Sequence, residues 1–440
     1  MSPDVSPQKR VVPAETEAKL AEESFLTDDF LRQLINVGEV DILVGLPTHN
    51  NAKTVGPIVQ AIQAGILKCF PRERTVIINA DGGSRDGTPE LVTGASIDDL
   101  RHVPHLYALR TLHSISTQYA SSPAPGTALR TILAAADLLR AKACAVISPE
   151  STSIDPEWIP RLLGPIYKDN FDLVTPVYRR HKFEGFLMSN LIYPMTRALY
   201  GSRIREPYAS DFGLSGRLGS AFLTHDVWSQ EVGRTGPEIC LTISAITGGY
   251  RLFQSFLGTK VHVDRGSSDL VPALRRTVGA LFSSLEGNFG VWSSRTASEP
   301  VPSLGEIDLT LEPVRVNRKR LREMFRAGVA ELEPVFKSIL SASTLAELQR
   351  IASLEEDDCH YPAKLWVKTV YEFAASYHKS TISRDHVIQA LAPLYRGEMF
   401  TFLTENRNAS AEDVEETIES LCREFEGLKP YLLEVWNGRE

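Results

Sequence analysis

Short apolar runs alternate with amphipathic segments over the first two thirds of the chain. The runs at residues 41–47, 75–80 and 143–148 are rich in β-branched side chains, which is typical of strands buried in a parallel sheet. Helical patterns lie between them at residues 54–67, 86–92 and 126–142. Further strands are expected at residues 106–109, 171–178 and 251–263. This alternation predicts βαβ units and a mainly parallel sheet flanked by helices.

The pattern changes beyond residue 269, where helical spacing of apolar residues replaces the short runs. In residues 363–378, apolar side chains recur near helical spacing at Leu365, Val367, Val370, Tyr371 and Ala374. The chain start is rich in Pro, Ser and charge, which is typical of disorder. We therefore expect an N-terminal extension (1–37), an α/β domain (38–268) and a helical C-terminal module (269–440). The module should pack on the α/β domain or form a homodimer interface.

Composition narrows the class of protein and of partner. The chain has 440 residues and a net charge of −8, without a long basic run, which argues against nucleic acid as the main partner. No stretch reaches the length of a membrane helix, and the start has no apolar signal segment. The cysteines are odd in number and far apart, at positions 69, 144, 240, 359 and 422. These features predict a cytoplasmic protein without a disulfide framework or a zinc site.

Polar loops follow the first two predicted strands, where open α/β sheets bind ligands. The first loop contains Pro47, Thr48, His49 and Asn51 and leads into a helix. The second reads Asn79-Ala-Asp-Gly-Gly-Ser-Arg-Asp-Gly-Thr88 and places Asp81 at a strand end. Each loop alone could be an ordinary turn, since Asp-Gly and Gly-Gly are turn dipeptides.

Together, however, the two loops resemble the opening of GT-A glycosyltransferases, whose pattern is P-x-x-N-E followed by D-D-G-S-x-D-G-T. The resemblance covers about residues 40–265 and implies a GT-A fold that binds a nucleotide-sugar donor. It places Asp81 on the edge of the base. The other residues that it implies at the nucleotide are Pro47, Thr48, His49, Asn51, Gly83, Ser84 and Glu150. One departure is Asn51, where an acidic residue is common.

A third loop follows the strand at 143–148, where GT-A enzymes carry a D-x-D motif for Mg²⁺ or Mn²⁺. Here the motif is altered to Ser148-Pro149-Glu150, and Glu150 falls at the ligand position. His262 stands where retaining glucosyl-3-phosphoglycerate and mannosylglycerate synthases carry a metal-binding histidine. The resemblance therefore implies a mixed site of Glu150 and His262 for Mg²⁺ or Mn²⁺. A solvated loop acid and a structural histidine are the alternative interpretations.

The same synthases suggest an anionic acceptor such as glycerate or phosphoglycerate. Their acceptor loop is loosely similar to residues 205–217, which contain Ser210, Asp211, Phe212 and Gly213. The basic residues Arg179, Arg180, His181 and Lys182 cluster at the end of the preceding strand and would add positive charge. A further departure is Pro125, which replaces a lysine that lies near the diphosphate in the synthases. Arg130 or Arg265 could take over that contact.

Glu238 opens an amphipathic helix where inverting GT-A enzymes carry their base motif. It would be a general base or an acceptor-holding carboxylate, and Asp211 is a second candidate catalytic acid. We therefore expect a retaining transferase that forms an α-glycosyl glycerate-type product. The alternatives are an inverting transferase with Glu238 as base, and a non-catalytic sensor of sugar nucleotides.

Overall fold

The computed structural model describes residues 26–95, 112–119, 125–260, 270–305, 309–310, 317–356 and 358–438. Its strands, in chain order, are β1 Ile42–Thr48, β2 Thr75–Asp81, β3 Leu112–Gln118, β4 Ala143–Val146, β5 Leu173–His181, β6 Ser202–Arg203, β7 Phe212–Ser215, β8 Leu252–Thr259, β9 Glu299–Pro300, β10 Ser303–Leu304 and β11 Leu309–Thr310. The predicted strand at 106–109 lies outside the described residues, as does the end of the strand predicted at 251–263.

Helices account for most of the remaining elements. Those of the first part are α1 Asp28–Val37, α2 Ala52–Cys69, α3 Thr88–Thr93, α4 Pro125–Leu138, α5 Trp158–Asp169, α6 Tyr193–Tyr200, α7 Gly216–Leu223, α8 Glu231–Thr235 and α9 Pro237–Thr247. Those of the second part are α10 Leu270–Leu274, α11 Ala280–Gly287, α12 Phe289–Trp292, α13 Arg318–Glu331, α14 Glu333–Ile339, α15 Ala342–Ser353, α16 Ala363–Lys379, α17 Arg384–Glu405, α18 Ala411–Gly427 and α19 Lys429–Trp436. A π-helical segment, Met188–Ile192, leads directly into α6.

Nine of the described strands form one large sheet in the order β10-β8-β5-β7-β4-β1-β2-β3, with β11 paired to β5, while β6 and β9 form a separate two-stranded sheet. Among the described strands of this sheet, β7 alone runs antiparallel to its neighbours β4 and β5. The other pairings are parallel. The prediction of a mainly parallel sheet flanked by helices is therefore confirmed.

Strand direction determines which residues meet at the edge where the parallel strands end. Because β7 is antiparallel, its first residues lie at the carboxyl end of β4, with Phe212 opposite Val146. Ser210 and Asp211, which precede β7, are therefore brought beside the loop that follows β4. The carboxyl ends of β5 and β8 reach the same edge, where Arg179 pairs with Thr259.

The core lies on both faces of the sheet. One face is covered by α2 and α5, whose buried residues include Ile62 and Trp158. The other face is covered by α4, and its apolar cluster is continuous with that of the C-terminal helices. Sheet strands also continue beyond residue 268, since β10 pairs with β8 and β11 pairs with β5. The division at residue 268 consequently does not coincide with the end of the sheet.

The C-terminal helices pack directly on the α/β part, as the amphipathic pattern predicted. The Trp366 indole in α16 donates a hydrogen bond to the backbone carbonyl of Asn190 at 2.9 Å. Lys182, at the end of β5, donates to the carbonyls of Asn406 (2.9 Å) and Ala409 (2.8 Å) just beyond α17. None of the described helices is long and apolar enough to cross a membrane.

Candidate functional site

The loops after β1 and β2 are tied together by hydrogen bonds. The Thr48 hydroxyl lies 2.6 Å from Asn79 Oδ1 and 2.9 Å from Asp81 Oδ1. The backbone N–H of Asn50 donates to Ser84 Oγ at 2.8 Å. The two loops lie roughly 30 residues apart on the chain, as a strand–helix–strand unit requires. These hydrogen bonds therefore join them into one surface.

Asp81 organises the second loop from a buried position. Its Oδ2 accepts the backbone N–H groups of Gly83 (2.9 Å) and Ser84 (2.7 Å), and its Oδ1 accepts the Ser84 hydroxyl at 2.6 Å. Gly83 has a φ of 84°, in the left-handed region that glycine favours. With Thr48, four protein donors surround the carboxylate, so Asp81 can accept a hydrogen bond from a base only if one of these contacts is exchanged.

The remaining residues of the first loop differ in solvent exposure. Asn51 is buried; its Oδ1 accepts the His49 N–H at 2.7 Å, and its own N–H donates to Thr88 Oγ1 at 2.9 Å. His49 is partly exposed, and its Nδ1 lies 3.1 Å from the Gly82 carbonyl oxygen. Pro47, the next-to-last residue of β1, is also partly exposed. Asn50 is exposed as well, so Pro47, His49 and Asn50 are the accessible members of the loop.

The turn after β4 lies against the first loop. Thr54 Oγ1 in α2 donates to the Pro149 carbonyl at 2.6 Å. Asp211 fixes the other side of the turn, because its carboxylate accepts the Ser148 N–H at 2.8 Å and the Ser151 hydroxyl at 3.1 Å. Glu150, between them, is partly exposed. Since β1 lies between β2 and β4, this is the switch point at which open α/β sheets bind ligands.

Asp211 belongs to a buried cluster with Tyr178 and Lys260. Its Oδ2 lies 2.6 Å from both the Tyr178 hydroxyl and Lys260 Nζ, and Lys260 also donates to Ser210 Oγ at 2.7 Å. The side chain of Asp211 is fully buried, and that of Lys260 is 4% exposed. Burial would raise the pKa of Asp211, but the charge and hydrogen bond of Lys260 outweigh it and lower that pKa.

This geometry makes Asp211 a positioning residue for the Glu150 turn, because the carboxylate is shielded from any substrate. Sequence reasoning missed Lys260 as its partner. Tyr178 stands where the pairing of β5 with β8 is irregular, and such bulges redirect side chains near functional sites. A lysine within the strand predicted at 251–263 was the available signal, but only the sheet order shows that it faces Asp211.

Glu238 lies in the first turn of α9, beside Tyr208 and Arg276. Its Oε2 is buried without a hydrogen-bond partner among the described residues. Burial raises the pKa of Glu238 to about 7, although the nearby positive charge of Arg276 opposes the increase. Burial and the charge of Glu238 together raise the pKa of Tyr208 well above its ordinary value. Glu238 is therefore poised to exchange a proton near neutral pH.

The basic end of β5 surrounds a small cavity of about 40 Å³, lined by residues that include Tyr178, Arg180, His181 and Arg205. Arg180 Nη2 lies 2.8 Å from Glu206 Oε1, so its charge is partly compensated. His181 is buried, and its Nδ1 accepts the Phe183 N–H at 3.1 Å. Its Nε2 therefore carries the proton, and no described residue accepts it.

Other predicted site residues occupy different surroundings. Phe212 and Gly213 are buried within β7. A Cβ on Gly213 would lie 2.4 Å from the Leu162 carbonyl oxygen in α5, whereas Phe212 belongs to the apolar cluster on the other face of the sheet. Lys182 is engaged by carbonyls beyond α17. Predicted residues His262 and Arg265 lie outside the described residues. Within the described ranges, no group of three or more His, Cys, Asp or Glu side chains could hold a metal ion.

A larger cavity lies away from this site. Its volume is about 780 Å³, and it lies at the opposite edge of the sheet, around the Arg217–Asp172 pair.

No family model and no curated protein matches the chain. Solved structures that match include glucosyl-3-phosphoglycerate synthase from Mycobacterium tuberculosis with Mn²⁺, UDP and phosphoglyceric acid. That match has 20% identity and a TM-score of 0.41, and covers 56% of this chain and 78% of the other. The complex with Mg²⁺ and UDP gives 18%, a TM-score of 0.41, and coverage of 59% and 83%. At this identity and overlap the likeness by itself carries no conclusion about activity.

Proposed function

We propose that the chain is a GT-A-type glycosyltransferase that moves a hexose from a nucleotide-sugar donor to a small anionic acceptor. The observation that carries the proposal is the interlocking of the loops after β1, β2 and β4 through Thr48, Asn50, Thr54 and Asp211. Three polar segments that sequence reasoning assigned to one donor site thus share one edge of the sheet.

The donor nucleotide would lie along the loops after β1 and β2. Pro47 and His49 would form one wall, supported from behind by the buried Thr48 and Asn51. The turn of Asp81, Gly83 and Ser84 would form the other wall. His49 offers an exposed ring for contact with the base or ribose. Asp81 acts chiefly by holding the turn in shape, since its carboxylate is already surrounded by donors.

Glu150 and His262 would hold the divalent metal, together with oxygens of the donor diphosphate. Mg²⁺ or Mn²⁺ would neutralise the charge of the leaving diphosphate. The residues described fit only in part, because Glu150 is partly exposed at the right turn while His262 lies outside the described ranges. Asp211 contributes indirectly by orienting the turn that carries Glu150.

The acceptor would bind at the basic end of β5, near Ser210. The cavity beside Arg180 has the size of a carboxylate or phosphate group, and the His181 Nε2–H is a buried donor with no acceptor among the described residues. Arg179 and Arg180 would supply the charge and the geometry for a carboxylate. Tyr178 joins this cavity to the cluster around Asp211.

Retention remains our proposal for the stereochemistry, and one observation favours the inverting alternative. Glu238 has an unpartnered, buried Oε2 and a pKa of about 7, which suits a general base. Nuclear magnetic resonance of the product anomer distinguishes the two. An α-product from an α-linked donor indicates retention, and a β-product indicates inversion with Glu238 as base.

The decisive experiment is a thermal-shift screen of UDP-glucose, GDP-mannose and related donors, with Mn²⁺, Mg²⁺ or EDTA. A donor at a hundred times its dissociation constant should stabilise the fold by about 2.7 kcal/mol. The best donor is then assayed for transfer to 3-phosphoglycerate, glycerate and glycerol. Binding without transfer or hydrolysis would indicate a sensor, and no stabilisation by any donor would overturn the proposal.

The acceptor assignment gives a kinetic prediction. Arg179→Ala and Arg180→Gln should raise the acceptor KM about tenfold or more, because each removes a charge-assisted hydrogen bond of about 1.5–3 kcal/mol. The donor KM should change little. Arg320→Ala, at an exposed position on α13, is the control. Unchanged acceptor KM in both variants, or a preference for glycerol, contradicts the anionic acceptor.

A further inference from the structure

A further cavity lies between the C-terminal helices and the segment Met188–Ile192, and it shares Ile418 with the cavity beside Arg180. Its volume is about 460 Å³, within the range of small-molecule sites. Residues of α17, α18 and the start of α16 line it, together with Asn190. None of the residues assigned to the donor or acceptor lines this cavity.

Glu398 of α17 lines the cavity and is buried, with 6% of its surface exposed. Its Oε1 accepts a hydrogen bond from Asn190 Nδ2 at 3.3 Å. Its Oε2 is buried and has no hydrogen-bond partner among the described residues. Burial raises the pKa of Glu398 to about 8, and the charge of Glu405 adds to the increase. An orphaned buried carboxyl oxygen is costly unless a ligand satisfies it.

The wall of the cavity is acidic. The described residues that line it include the carboxylates Glu398, Glu405, Asp413 and Glu416, and no lysine or arginine. His360 Nδ1 lies 2.6 Å from Glu405 Oε1, and Glu416 pairs with Arg423 outside the cavity, so part of this charge is compensated. Asp413 is held by Ser410 in a capping box at the start of α18. Because no lysine or arginine is among the described lining residues, the wall remains acidic in character.

Two kinds of occupant are disfavoured by these features. A single metal ion does not fit, because no group of three or more ligating side chains occurs among the described residues and the cavity is much larger than an ion. An anion would meet four acidic side chains and no lysine or arginine among the described lining residues. The Thr401 hydroxyl, whose oxygen accepts the Tyr361 N–H at 3.0 Å, adds a polar group to the otherwise acidic wall.

We propose that this cavity binds a small organic cation with a primary ammonium group, and that Glu398 is the carboxylate that receives it. The ammonium donates to the orphaned Oε2, and the acidic rim attracts the cation. Binding requires Glu398 to be ionised, so a proton leaves the protein as the cation enters. The proposal is independent of the glycosyltransferase assignment, because it uses neither the donor nor the acceptor residues.

Isothermal titration calorimetry of the full chain with putrescine tests the proposal, and 1,4-butanediol is the neutral probe of the same length. Putrescine should bind and butanediol should not. Because Glu398 is mostly protonated at pH 7, binding should release up to one proton to the buffer. The heat of binding should therefore differ between phosphate and Tris, whose ionisation enthalpies differ. This measurement on the wild-type protein needs no variant. Absence of putrescine binding at millimolar concentration, or equal binding of butanediol, overturns the proposal.

Substitution then locates the site. Glu398→Gln preserves the shape and the oxygen that accepts from Asn190, but removes the charge, so putrescine should bind at least tenfold more weakly. Glu412→Gln makes the same charge change at an exposed position on α18 outside the cavity and should leave binding unchanged. Equal affinity in Glu398→Gln and wild type, with thermal unfolding showing both folded, places putrescine elsewhere and overturns the assignment.

Discussion

At the scale of single residues, the site depends most clearly on the buried ion pair of Asp211 and Lys260. Both side chains are out of contact with water, and the separation of Lys260 Nζ from Asp211 Oδ2 is 2.6 Å. Ser148, Ser151 and Tyr178 supply further hydrogen bonds to the carboxylate. Desolvation of both charges is offset only while all these partners remain.

Lys260→Met should therefore destabilise the protein by about 3–5 kcal/mol, because the Asp211 carboxylate would stay buried without its counter-charge. Chemical denaturation measures the loss. Combining it with Asp211→Asn should recover part of the stability, since the uncompensated charge is gone. Lys319→Met, at an exposed position on α13, is the matched control. Equal effects of Lys260→Met and Lys319→Met would contradict a buried ion pair.

Glu238 gives a second residue-scale prediction, on the pH dependence of stability. Its pKa is raised in the folded state from 4.5 to about 7, so the neutral carboxyl contributes stability that is fully present below about pH 4.5. That contribution is lost as the pH rises towards 7. Glu238→Gln keeps a neutral side chain at every pH. The stability of wild type relative to Glu238→Gln should fall between pH 4.5 and 7 and then level off.

Urea midpoints at several pH values between 4.5 and 8 measure this difference. Glu231→Gln, at an exposed position on α8, should show no such trend relative to wild type. A constant difference between wild type and Glu238→Gln across the range would mean that the Glu238 pKa is not raised.

At the scale of elements, α4 meets α8 without room for a side chain. A Cβ on Gly126 would lie 1.7 Å from the Gly233 carbonyl oxygen, which is a backbone atom that cannot move alone. This contact brings the start of α4 against the segment that leads into α9 and hence to Glu238. The close approach thus helps to place Glu238 relative to the strand ends.

Gly126→Ala should therefore destabilise the protein, although alanine normally favours a helix over glycine by about 0.5–1 kcal/mol. Gly56→Ala in α2 is the matched control, because a Cβ there meets nothing within 4 Å and should stabilise by that amount. Thermal unfolding of both variants checks the pair. Stabilisation in both would show that α4 and α8 can separate at little cost.

At the scale of the whole molecule, Arg197 joins the α/β part to the C-terminal helices. Its guanidinium is 1% exposed and contacts Glu419 and Glu426 of α18, with Nη2 at 2.8 Å from Glu419 Oε1 and Nε at 2.8 Å from Glu426 Oε1. Removal of the C-terminal helices would take away both counter-charges and expose the apolar surface that α6 shares with those helices. A chain ending at residue 268 should consequently not fold as a soluble monomer.

The double variant Glu419→Gln/Glu426→Gln tests the same contact within the full chain. It should lower stability by about 3–5 kcal/mol, because a buried arginine loses both counter-charges. Glu412→Gln/Glu416→Gln changes the charge of the same helix equally at exposed positions. Comparable urea midpoints for the two double variants would show that Arg197 is not held by these ion pairs.

The sequence by itself determined the local features of this protein. Apolar runs predicted β1, β2 and β4 because buried parallel strands need continuous apolar residues, and the helical spacing predicted α2, α4 and α16. It also located the loops after β1, β2 and β4, since these follow directly from the ends of the runs.

Only the tertiary structure decided which distant residues meet. The antiparallel insertion of β7 brings Asp211 to the turn of Glu150, and the pairing of β5 with β8 brings Lys260 to Asp211. Lys182 belongs to a basic cluster in the sequence, yet in the structure its ammonium group donates hydrogen bonds to backbone carbonyls beyond α17. The physical reason is that burial and pairing depend on strand order and helix packing, which no local pattern of side chains encodes.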